Sequence, residues 1–201
     1  MEYNVISSNC IGGYYFKELD VKPKNPFIWT SIKLSNFIIL IENYDNIDFT
    51  NISVKLTNGE FTSNINKTNI PRLVLDDKVN VYFEHHHYSP RTRRPLGNNV
   101  YSPIIVPLIC RKWMERVADK DDISPKAFSY WDCDECTDTD IMRFIELKDK
   151  YKDYIFVLFS KDDYSQYECD NFIYIPRSNE MTVLMHGSEL VNRLRERDGE
   201  N

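Results

Sequence analysis

The chain has 201 residues, 42% of them hydrophobic and 28% charged, with a formal net charge of −6 at pH 7. That length is enough for one domain with a proper core, and the 13% aromatic content argues against a disordered chain. The acidic balance excludes a general nucleic-acid-binding surface, and no apolar run nears the ~20 residues that a membrane helix requires. The residues Met1 to Asn4 show no basic or apolar signal region, and an odd number of cysteines, five, fits free thiols in a reducing compartment. A cytoplasmic protein is expected, so the glycosylation sequons at Asn51 and Asn66 read as chance.

A strand over roughly residues 3–8 runs into Cys10, followed by Gly12, Gly13 and a short helix over 14–19. That order puts a thiol at or near a helix N-terminus, where backbone N–H groups and the helix dipole stabilise a thiolate or a developing oxyanion. The glycines let a substrate or another backbone approach closely. A small buried cysteine at a strand-to-helix turn would give the same pattern. Pro23 and Pro26 end the helix. The next helix is expected near 34–44, with Phe37, Ile38, Leu40 and Ile41 as its apolar face and Ser35 as N-cap. Ile52, Val54 and Leu56 alternate as a short strand before an Asn58-Gly59 turn, and the apolar run 70–75 carries Pro71 and reads as an edge strand or a loop.

Val79, Val81 and Phe83 share one strand face, and the period of two carries His85 and His87 onto it, with His86 opposite. Three successive histidines cannot all ligate one metal from a regular strand, so one functional imidazole and no metal is the expectation. Arg91, Arg93 and Arg94 form a basic loop that is either solvated or holds a phosphate or carboxylate. A helix follows over 103–119, with Cys110 in its core pattern. Residues 120–139 read as an acidic, turn-rich loop, in which Cys133 and Cys136 lack a second pair to complete a zinc site. Their acidic neighbours also oppose thiolate formation. A helix over 140–151 is capped by Asp138 or Thr139. The apolar run 154–159 reads as a buried central strand, with Asp162 and Asp163 just past its carboxyl end, where α/β sheets place functional groups. Short strands over 172–175 and 182–185 and a last helix over 188–197 complete the chain.

The Ser7–Cys10 stretch with its helix, Phe27-Ile-Trp29, the 79–85 strand, Lys112–Arg116, Met142–Phe144 and the 155–160 strand carry a resemblance over roughly residues 5–160. In this order they resemble bacterial and large-DNA-virus proteins regarded as papain-like cysteine peptidases of unknown function. They also resemble a neighbouring bacterial family, of unknown activity, from exopolysaccharide gene clusters. The resemblance implies a Cys-His pair, Cys10 as nucleophile and His85 as base, with His86 or His87 in its place if the register shifts. A third polar residue orients the imidazole in such sites; Asp162, Asp77 and Asn99 are the candidates. Asn9 or the Cys10 N–H can donate to an oxyanion, and Gly12, Gly13, Trp29 and the three loop arginines complete the expected substrate-binding set.

The expected fold is α+β or α/β, with a mixed central sheet, packed helices and a papain-like cysteine on a helix facing a histidine on a strand. The expected chemistry is cysteine-dependent hydrolysis or acyl transfer on a peptide, acyl or glycan substrate, with no cofactor. Two further readings stay open. One is a glycan-biosynthesis transferase holding a sugar phosphate or nucleotide on the arginine loop. The other is a non-catalytic binding protein in which Cys10 is simply packed.

Overall fold

The computed structural model describes residues 3–22, 25–56, 71–83, 98–117, 126–132, 136–178 and 183–199. The run Ile155–Ser160 is apolar at nearly every position because both of its faces are covered. Ile155, Val157 and Phe159 enter one hydrophobic cluster, while Phe156 and Leu158 enter another. Each such side chain contributes roughly 1.5–3 kcal/mol on leaving water.

This strand, β6, sits inside a parallel four-stranded sheet. β1 (Asn4–Ser7) pairs with β5 (Lys126–Trp131), β5 with β6 (Ile155–Ser160), and β6 with β7 (Phe172–Pro176). One face carries α1 (Ile11–Glu18) and α5 (Val183–Arg197), whose Ile11, Tyr15, Phe16, Leu190, Val191 and Leu194 pack on Val5, Ala127 and Val157. The other face carries α2 (Leu34–Asn43) and α4 (Asp138–Lys150), with Phe37 and Phe144 against Phe128, Tyr130 and Phe156.

A second, antiparallel sheet is built from β2 (Ile52–Leu56), β3 (Pro71–Leu75) and β4 (Val79–Tyr82), in that order. Leu73, Leu75, Val79 and Val81 join the same core as α2, together with Ile109, Trp113 and Val117 of α3 (Asn98–Val117). The expected mixture of strand directions is thus sorted into two sheets. A short backbone path joins them. Ser8 N–H donates to Ser129 O at 2.9 Å, Ile32 N–H donates to Ser8 O at 2.8 Å, and Ser31 and Tyr82 exchange two bonds of 2.8 Å.

Several expectations need correcting. Residues 71–75 are no edge or loop: β3 is the middle strand, and Pro71 is tolerated because it is the strand's first residue. The acidic stretch 120–139 hides β5, an interior strand whose alternating Ala127 and Ser129 are small because helices press on that face. Residues 183–185, expected in a strand, open α5 instead. The α2 cap is Lys33, not Ser35, and the α4 cap is Thr137, whose side chain accepts from Asp140 N–H. Cys110 is only half-buried, although burial still pushes its thiol up. Among the described residues no helix is long and apolar enough to cross a membrane.

Candidate active site

All four parallel strands end at one edge, and the first of them delivers Cys10. The strand stops at Ser7, and Cys10, a half-buried residue, becomes the N-cap of α1 in a relaxed conformation, φ −66° and ψ −9°. Its carbonyl accepts from Tyr14 N–H at 3.2 Å, closing the first helical turn. Asn9 performs the capping: its Oδ1 accepts from Ile11 N–H at 3.0 Å and from the Ser7 hydroxyl at 3.3 Å. The Asn9 oxygen is therefore committed to the helix.

The two glycines are required by close packing. A Cβ on Gly12 would meet Ser7 Cβ at 3.0 Å, and one on Gly13 would meet the Trp29 indole at 2.8 Å. Trp29 itself holds a left-handed φ of 61°, a costly conformation for a bulky residue. The surroundings enforce it. Buried Asn25 donates to Val5 O at 2.9 Å and accepts from Phe27 N–H at 3.0 Å. The Thr30 hydroxyl donates to Phe27 O at 2.7 Å, and Arg116 on α3 donates to Ile28 O at 3.0 Å. Burial lowers the Arg116 pKa from its ordinary high value. Gly13 lies three residues beyond Cys10, so the indole and the thiol share one face of α1. Tyr14 meets the indole edge-on at 5.1 Å.

The next strands supply the rest of the edge. Trp131, at the end of β5, carries the Arg177 guanidinium 4.9 Å over its ring and meets His186 of α5 edge-on at 4.6 Å. The Trp131 N–H donates to the Ser8 hydroxyl at 3.1 Å, which ties β5 to the Cys10 loop. The Asp132 carboxylate points to the other face, where Ser160 Oγ donates to it at 2.7 Å. There burial raises the Tyr164 pKa, with the carboxylates of Asp138, Asp162 and Asp132 adding to the effect. The edge is thus divided, with acidic groups on the α4 side and Arg177 and His186 on the side of α1 and α5.

Asp162 is exposed past β6, two strands and about 10 Å across the sheet from β1, with its N–H on Ser160 Oγ. Asp77 is exposed in the turn before β4. Asn99 falls on α3, its side chain outside the described residues. His85, His86, His87, Arg91, Arg93, Arg94 and Cys133 also lie outside them. Cys136 shares a 2.7 Å hydrogen bond with the Tyr130 hydroxyl. Among the described residues no group of three or more His, Cys, Asp or Glu side chains could hold a metal. His186, fully buried, is the edge residue that sequence reasoning passed over. Its signal was the helical spacing of His186, Leu190, Val191 and Leu194.

Fold and edge together define an α/β protein with a cysteine at the first strand-to-helix junction. Residues 1–94 match the family model of a domain of unknown function, DUF1919. The match takes in Cys10, Trp29, the three consecutive histidines and Arg91, Arg93 and Arg94. No curated protein matches the chain.

Proposed function

We propose that the protein performs cysteine-dependent acyl transfer, with Cys10 as nucleophile and His85 or His87 as its base. The supporting observation is the backbone path between the two sheets. It brings Tyr82, three residues before His85, to Ser31, while Ile32 bonds to Ser8, two residues before Cys10. Two strand spacings, about 10 Å, then separate the two chain segments that lead into the thiol and the imidazole. The resemblance to papain-like proteins supplies the same pair.

In the reaction the imidazole takes the thiol proton and the thiolate attacks an acyl carbonyl. The oxyanion that forms faces the N-terminal turn of α1, whose backbone donors and dipole favour negative charge. The oxyanion collapses to a thioester as the leaving group departs with the proton from the imidazole. Water or a second acceptor then attacks the thioester and restores the thiol. The Trp29 indole walls the site on the side of Gly13.

The test is acyl trapping with p-nitrophenyl acetate. The expected result is a burst of one p-nitrophenolate per chain, an acetyl group on Cys10 by mass spectrometry, and loss of both in Cys10→Ala. Acetylation elsewhere, or a burst that survives the substitution, contradicts the proposal.

A further inference from the structure

We propose that the paired N-termini of α1 and α5, with the buried hydroxyl of Ser129 beneath them, bind the terminal phosphate of a phosphorylated substrate. Both helices begin at the carboxyl edge and run side by side. The fifth residue of α5, Gly187, abuts Tyr14 of α1 so closely that a Cβ there would lie 2.6 Å from Tyr14 Cβ. At the far end of the pair Tyr3 donates to Asp198 at 2.6 Å, which fixes the helices as parallel. Two positive dipole ends therefore converge above the ends of β1 and β5, and helix geometry turns the N–H groups of Gly12 and Gly13 the same way.

An independent observation points to a ligand there. Ser129 is completely buried, and its hydroxyl finds no hydrogen-bond partner. The strand alternation that sends Ala127 and Trp131 toward α1 and α5 sends Ser129 the same way. It is paired with Ser7, on which the first turn of α1 rests through Gly12. A buried hydroxyl without a partner is costly, and a phosphate oxygen would satisfy it. Local charge agrees: Arg177 flanks this side at Trp131, while Asp132, Asp138 and Asp162 gather around Tyr164 on the other.

This inference names a substrate feature for the Cys10 site but does not depend on acyl transfer. It is tested with inorganic phosphate and glycerol phosphate against sodium chloride of equal ionic strength, followed by thermal unfolding and by phosphorus NMR line width. In the wild type both phosphates raise the unfolding midpoint above the chloride control. Ser129→Ala removes the unpaired hydroxyl, so its midpoint rises without phosphate, while phosphate affinity falls about tenfold, the value of a hydrogen bond to a charged group. Arg177→Gln, a second variant, also weakens phosphate binding. Cys10→Ala keeps it. No shift beyond chloride, rejection of glycerol phosphate, or unchanged affinity in Ser129→Ala would overturn the site. Phosphate binding by a chain whose Cys10 accepts no acyl group would keep this site and end the acyl-transfer reading.

Discussion

Gly13 and Trp29 hold each other in place. The indole has room only because residue 13 lacks a Cβ, and the strained Trp29 backbone persists because Asn25, Thr30 and Arg116 bind the chain around it. Gly13→Ala should therefore cost about 1–3 kcal/mol in denaturant unfolding, with altered Trp29 fluorescence. At the opposite edge of the sheet, Lys126 donates to Asp45 at 2.6 Å and lies 4.3 Å from the Tyr44 ring centroid. The Lys126 hydrogen bond is the main reason that the Asp45 carboxyl lies below its ordinary value. A lowered carboxyl favours the folded state at pH values above the unfolded pKa of about 3.9 and stops doing so as pH falls through the lowered value. In Lys126→Met the Asp45 titration followed by NMR should move up toward that ordinary value. Single residues were unevenly legible. The place of Cys10 followed from a strand running into glycines, whereas the capping role of Asn9 depends on a side-chain rotamer that spacing does not encode.

Long periodic stretches such as α2 and β6 were readable because many positions repeat one signal, and their buried residues are those expected. β5 was hidden because the small Ala127 and the polar Ser129 interrupt its apolar pattern and its neighbours are acidic; its place in the sheet comes from pairing with β1 and β6, more than twenty residues distant in sequence. β3 was demoted by a proline that the first position of a strand accommodates. The outer strand β7 shows how an exposed edge is managed. Glu168 accepts from Tyr174 N–H at 3.1 Å and pairs with Arg193 of α5. Glu168→Ala should cost about 1 kcal/mol and speed amide exchange at Tyr174 relative to Phe156. At the start of α4, Thr137→Ala should cost about 1 kcal/mol by removing the bond to Asp140 N–H, measured as a shift in the denaturation midpoint.

At the scale of the whole molecule, the proposed chemistry falls where parallel sheets usually carry it, at the carboxyl ends of the strands. The sequence pointed to the first half of that candidate site, since one strand-turn-helix unit carries Cys10, Gly12 and Gly13. The second half comes from Trp131, Arg177 and His186, on elements far apart in sequence, and only the sheet order brings them together. The antiparallel sheet adds the approach of β4 to the Cys10 loop through Ser31 and Ile32, a contact that no local pattern announces. The central claim is that Cys10 is an activated nucleophile paired with a histidine of the 85–87 cluster. Its most direct test is the pH dependence of iodoacetamide labelling at Cys10 in the wild type, His85→Ala and His87→Ala. The account predicts labelling that persists below pH 7 and is lost when the paired histidine is removed. A Cys10 that titrates near an ordinary ~8.5 in all three proteins would contradict it.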